Sequence, residues 1–207
     1  MVRVLYIQAS PLLDISYSIR VCDEFLEAYR VRNPGDEIVT LNVFRDEIPP
    51  FDEPAVRGKY AIMHGKPHSA QELQAWRAVQ ETIRQFTAAD KYVLAVPMWN
   101  FGIPYRFKQY IDVIVQPTYT FDYVPGQGYR GLLTDRKAFV AYARGGDYGE
   151  DGAFDFQKKY VETILEFMGI ADRRSVIVQP TLAGGPEEAG RKLQAAIAEA
   201  KRMAEGF

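Results

Sequence analysis

"KYVLAVPMWNFGIPYRFKQYIDVI", residues 91–114, changes its period once along its length. Lys91 to Pro97 is an almost unbroken apolar and β-branched run, as a strand covered on both faces requires. From Phe107 the apolar residues recur as Phe107, Tyr110, Ile111, Ile114 and Val115, a helical stripe that Pro117 stops. Between them lies MWNFGIP, residues 98–104, with two large aromatics astride Asn100 and no acid, base or nucleophile. A buried strand joined to an amphipathic helix by a short loop is half of a βαβ unit.

The rest of the chain repeats that unit. Strand-like runs begin at Val2 (VRVLYIQ), Glu37 (EIVTLNV), Lys137 (KAFVAYA) and Arg174 (RSVIVQP). Helical stripes separate them: Cys22, Phe25, Leu26 and Tyr29; then Leu73, Trp76, Val79, Ile83 and Phe86; then Phe156, Tyr160, Ile164 and Met168, with Gly169 as a C-terminal cap. A last helix starts near Pro186. Strands alternating with helices predict an α/β fold, and right-handed crossovers make it a doubly wound, three-layer one around a parallel sheet. Residues 43–67, read as a long loop, and 119–133 stand outside the alternation and are candidates for interface or pocket walls. The second segment contains GQGYRG, which matches a dinucleotide fingerprint letter for letter but has no helix after it, so it reads as a hairpin or flap.

Composition sets outer bounds. The 207 residues, 47% hydrophobic and 25% charged, predict one domain spanning 1–207. A formal charge of -2 gives no reason to expect nucleic acid or an anionic membrane as partner. No apolar run approaches the roughly 20 residues of a membrane-spanning helix. The N-terminus enters a strand directly, so no signal peptide is expected. Cys22 is the only cysteine, which excludes an internal disulfide and fits a reducing cytoplasm.

In a doubly wound fold the ligand site lies beyond the carboxyl ends of the strands, so three loops matter. The first, ASPLLDISYS (residues 9–18), places Ser10, Ser16 and Ser18 before a helix. They suit a phosphate at the free amides of a helix start, or they simply cap that helix. Ser69 and Glu72 open the next long helix with a complete capping box, whereas no acid stands three residues after Ser16 or Ser18. In the second loop Met98, Trp99 and Phe101 read either as core or as the wall of a planar heteroaromatic site, whose edge Asn100 would meet with a donor and an acceptor. Gly102 permits close approach of backbone to a ligand or an unusual dihedral, and Pro104 suits a first helical turn. In the third, ARGGDYG (residues 143–149), Gly145 and Gly146 would bring backbone amides to the same ligand and Arg144 would support anionic charge; a plain turn is the other reading. His64 and His68 lack a third ligand, no Ser-His-Asp set can be argued, and no metal is expected. An enzyme built this way must take its chemistry from a cofactor.

At these loops the sequence resembles the FMN-dependent NAD(P)H azoreductases of the flavodoxin-like quinone reductase superfamily. PMWNFGIPYRFKQYID, residues 97–112, is similar to the family's P-M-[YW]-N-F-x-x-P-x-x-L-K-x-[YW]-x-D, and the early SP with a later S-x-S and the RGG agree. Phe107 stands where the family has leucine, and Trp99 where many members have tyrosine. The resemblance implies a flavodoxin-like sheet of order 2-1-3-4-5 and a homodimer with one FMN per subunit near the interface. It implies ping-pong, two-electron hydride transfer from NADH or NADPH to quinones and aromatic azo compounds, on flavin N5 without a catalytic side chain. It assigns Ser10, Ser16, Tyr17 and Ser18 to the FMN phosphate, Met98, Trp99, Asn100 and Phe101 to the ring, and Ala143, Arg144, Gly145 and Gly146 to its other edge. A non-enzymatic flavodoxin-type electron carrier docking redox partners is the alternative, which the near-neutral charge disfavours.

Overall fold

The computed structural model describes residues 1–149 and 152–207. In chain order the elements are β1 (Arg3–Gln8), α1 (Tyr17–Arg32), β2 (Glu37–Asn42), α2 (Glu53–Met63), α3 (Ala70–Thr87), β3 (Lys91–Pro97), α4 (Tyr105–Ile114), β4 (Phe121–Val124), β5 (Gly128–Gly131), β6 (Lys137–Ala143), α5 (Phe156–Phe167), β7 (Asp172–Val178) and α6 (Gly185–Ala204). Five strands form a parallel sheet in the order β2-β1-β3-β6-β7. Strands β4 and β5 pair antiparallel as a separate hairpin, the flap expected around GQGYRG.

Alternate residues of each strand feed two core clusters. Val4, Tyr6, Val93, Ala95, Phe139 and Ala141 pack with α1 and α6; Leu5, Ile7, Leu94, Val96, Ala138 and Val140 pack with α3, α4 and α5. That division is why the strands are apolar throughout. Each fully buried large side chain contributes about 1.5–3 kcal/mol. Phe25 of α1 stacks on Phe139 at 3.9 Å between ring centroids.

Two sequence expectations change. Residues 43–67 are not a long loop, because α2 lies within them. Asp52 caps α2 through Ala55 N, and Pro54 occupies its first turn, where a missing N–H is harmless. In α5 the expected stripe is one residue out of phase. Gln157, Val161 and Leu165 are the buried positions, whereas Phe156 is exposed and Tyr160 and Ile164 are half-buried. Gln157 hid the stripe because a polar residue occupies an inward place. Met168 is buried as expected, and Gly169 at φ +95° closes the helix with Gly169 N bonded to Glu166 O and Ile170 N to Leu165 O.

The amino end of the sheet is cross-tied. Tyr29 Oη donates to Asp36 Oδ2 at 2.6 Å, and Lys91 Nζ donates to Tyr29 Oη at 3.0 Å and Phe207 O at 2.8 Å. Val2 N donates to Asp36 Oδ1, while Asp90 takes Arg3 N on one oxygen and Arg136 on the other. The Tyr29 hydrogen bond, then that of Val2 N, hold the Asp36 carboxyl below the ordinary carboxylate range.

Candidate functional site

The register brings the three loops to one edge. Gln8 lies opposite Ala95, and Pro97 opposite Ala143, so β1, β3 and β6 end side by side. Adjacent strands lie about 4.8 Å apart, which places the loops within the span of one planar ligand.

In the first loop Leu13–Ile15 makes one 3-10 turn before α1. Ser16 occupies the N-cap position, yet its side chain makes no capping hydrogen bond. Its Oγ lies 3.2 Å from Ser18 Oγ, and both serines are buried. Among the described residues, the amides of Tyr17, Ser18 and Ile19 have no protein acceptor. Helix α3 differs completely: Ser69 N donates to Glu72 Oε2 at 2.7 Å and Glu72 N to Ser69 Oγ at 3.2 Å. A helix start with buried hydroxyls and unpaired amides has the donors that an anion site needs. Ser10, also buried, accepts Leu12 N on its hydroxyl at 3.3 Å, and its carbonyl accepts Asn42 Nδ2. Tyr17 packs along the α1–α6 core.

The second loop is a two-residue turn. Trp99 N donates to Gly102 O at 3.1 Å, and Gly102 N to Trp99 O at 2.9 Å. Asn100 (φ 48°) and Phe101 (φ 69°) between them both occupy the left-handed region. Such a turn favours glycine, and a phenylalanine there is strained by about 1–2 kcal/mol. The unusual dihedral expected of Gly102 therefore falls on Asn100 and Phe101 instead. Pro104 sits at the N-cap of α4 rather than inside its first turn. Met98 N donates to Ala143 O at 2.8 Å, so the second and third loops leave the sheet already joined.

In the third loop the Gly145 and Gly146 amides have no acceptor among the described residues. Gly145 O accepts Leu182 N and Ala183 N. A Cβ on Gly145 would meet Leu182 Cδ1 at 3.0 Å, and one on Gly146 would meet the Tyr148 ring at 3.2 Å. Arg144 departs from expectation. Its guanidinium is buried, and Nη2 donates to Asp155 Oδ2 at 2.6 Å, Nε to Gln157 Oε1 at 3.0 Å and Nη1 to Gly149 O at 3.2 Å. The charge expected at the ligand's edge is neutralised beneath it.

Exposed aromatics rim the turn. Phe101, 44% exposed, has Phe154 at 5.4 Å and Tyr148 at 6.0 Å; Trp99, 38% exposed, has Phe44 at 5.5 Å and Tyr105 at 6.4 Å. A mainly apolar cavity of about 430 Å³ opens beside Gly102, Ile103, Phe156 and Tyr160. Phe44, Tyr148, Phe154 and Asp155 were not among the expected site residues. Asp155 could have been found as the N-cap of α5, whose Lys158 N it accepts at 2.9 Å. The three aromatics carry no periodic or motif signal.

Comparisons with known proteins place the fold in a family. A family model described as a flavodoxin-like fold matches residues 2–204. The chain is 48% identical, over 210 aligned residues and 100% of both proteins, to an FMN-dependent NADH:quinone oxidoreductase of Nitratidesulfovibrio vulgaris. It is 41% identical, again over 100% of both, to FMN-dependent NADH:quinone oxidoreductase 9 of Burkholderia lata. Among solved structures, an azoreductase from Bacillus anthracis str. Sterne superposes with a TM-score of 0.91 at 28% identity over 100% of both chains. An FMN-dependent NADH-azoreductase from Bacillus anthracis str. Ames Ancestor, in complex with FMN, gives 0.89 at 32% identity over 99% of this chain and 98% of that one.

Proposed function

This chain belongs to the flavodoxin-like family of FMN-dependent NADH:quinone oxidoreductases, and from that premise we propose that its three loops hold FMN for the NADH-driven reduction of quinones and aromatic azo compounds. FMN, when bound, supplies a ring that takes a hydride at N5 and returns two electrons to the acceptor that replaces the nicotinamide, a ping-pong sequence. The carrying observation is the set of unpaired donors at the carboxyl ends of β1 and β6, which matches an anionic phosphate at one end and ring oxygens at the other.

Ser10, Ser16, Tyr17 and Ser18 are assigned to the phosphate. The α1 amides and the positive end of its dipole favour the dianion there. Met98, Trp99, Asn100 and Phe101 line the ring, with the strained turn holding the Asn100 amide at the ring's edge. Ala143, Arg144, Gly145 and Gly146 close the other edge through their backbone. The two glycine amides are oriented donors where negative charge develops on reduction, so no side chain has to act as acid or base. The exposed Trp99 and Phe101, with the half-buried Tyr148 beside Phe101, offer faces on which a flat acceptor stacks.

The same reading takes the chain as one doubly wound, three-layer domain over 1–207, supported by the two core clusters and the helices that feed them. It includes a homodimer with one FMN per subunit near the interface, and a cytoplasmic location, which the lone buried Cys22 fits. No helix among the described residues is long and apolar enough to cross a membrane.

Anaerobic titration separates the enzyme from an electron carrier. Stoichiometric NADH should bleach the visible flavin absorbance, and a quinone should restore it with turnover. If NADH leaves the flavin oxidised while a redox protein exchanges electrons with it, the oxidoreductase reading is wrong.

A further inference from the structure

We infer that Arg144 is a positioning residue, whose buried guanidinium ties the loops after β3, β6 and β7 together from beneath and so holds the Gly145 and Gly146 amides in place. The inference rests on the flavin reading but assigns Arg144 a role that its place in the RGG run does not reveal. Asp155, its ion-pair partner, is as buried as Arg144, and Asp155 Oδ1 also caps α5 through Lys158 N at 2.9 Å. Gln157, which accepts Arg144 Nε, passes the tie onward by donating to Val96 O at 2.8 Å, near the end of β3. Arg144 Nη1 reaches Gln179 Oε1 at 3.3 Å, just past β7, and Gln179 returns a hydrogen bond to Gly149 O at 3.1 Å. Phe156 N, at the start of α5, donates to Phe101 O at 3.1 Å, so the strained turn is joined to the same helix.

A buried ion pair is a poor source of stability, since desolvating both charges offsets their attraction. What this one supplies is geometry. A planar guanidinium with a rigid fork reaches four acceptors at once, from Asp155, Gln157, Gly149 and Gln179, and an ammonium cannot reproduce that pattern. The loop that presents the two glycine amides therefore has one conformation imposed from its inner side.

The test compares two variants with wild type by thermal unfolding, FMN titration of the stripped protein, and the midpoint potential of the bound FMN. R144M/D155N removes both charges together and keeps an oxygen to cap Lys158 N. It should unfold cooperatively near the wild-type temperature, yet bind FMN at least tenfold more weakly. R144K keeps the charge opposite Asp155 and should also lose at least tenfold in affinity, showing that charge alone does not rescue. The potential should fall in both, by about 30 mV for each tenfold preferential loss of the reduced form. Wild-type affinity and potential in a folded R144M/D155N overturn the inference. If that variant does not fold, R144K decides alone, and wild-type values there overturn it equally. Wild-type protein that takes up no FMN instead overturns the flavin reading itself.

Discussion

The two ends of the parallel sheet are built to opposite rules. At the amino end Asp36, Tyr29, Lys91 and Asp90 each meet a partner, and the ties join β1, α1, β3 and the C-terminal Phe207. At the carboxyl end helix α1 starts without a side-chain cap, two consecutive non-glycine residues hold positive φ, and aromatic rings stand exposed. Tyr142 Oη, buried on β6 next to the third loop, has no hydrogen-bond partner among the described residues. Apart from the Tyr142 hydroxyl, which is sealed in the core, one end closes its polar groups on itself and the other leaves helix-start and loop amides open. Arg144 is the exception that explains the rule: it is the satisfied group that keeps its unsatisfied neighbours in place.

The comparison is broken most severely if the carboxyl-end hydroxyls do not bind. S16A/S18A should lower FMN affinity by at least about 100-fold, since two hydrogen bonds to a charged group at about 1.5–3 kcal/mol each are lost. Its unfolding temperature without FMN should stay close to wild type, because neither hydroxyl caps α1. A matched pair of substitutions then probes the two ends with the same chemistry. Tyr29→Phe should destabilise by about 1–2 kcal/mol in urea unfolding, because Asp36 and Lys91 each lose a partner. Tyr142→Phe should stabilise by up to about 1 kcal/mol, because it removes an orphaned buried hydroxyl. Equal signs for the pair would erase the contrast. The smallest effect is on acid stability. Because the folded Asp36 pKa is depressed, its contribution is complete above its ordinary value of 3.8 and is lost as pH falls below that value. Asp36→Asn should remove that part of the acid limb in pH-dependent unfolding while leaving FMN affinity unchanged.

Much of the fold is legible because period and composition decide it. Lys91–Pro97 and Lys137–Ala143 are strands with the expected bounds, since a strand buried on both faces cannot hide its apolar run. Helix α2 escaped because only Ala55, Gly58 and Lys59 face inward, too few and too polar to make a stripe. The phase of α5 is hidden in the sequence for a related reason, since the inward Gln157 serves Arg144 and Val96 rather than the core. At the site, spacing and residue type pointed to the three loops, and the register of β1, β3 and β6 brings them to one edge. Which way Arg144 points was not readable, because that depends on Asp155 and Gln157, both more than ten residues away. The left-handed pair at Asn100 and Phe101 was equally hidden, since a phenylalanine at positive φ runs against local preference and is imposed by its surroundings.

The contrast between the two ends is tested most directly by amide hydrogen exchange of the stripped protein with and without FMN. FMN should slow exchange at residues 16–19, 98–102 and 143–149, and leave the amides around Tyr29, Asp36 and Lys91 unchanged. Protection at the amino end, or bound FMN with no slowing in the three loops, would contradict the account.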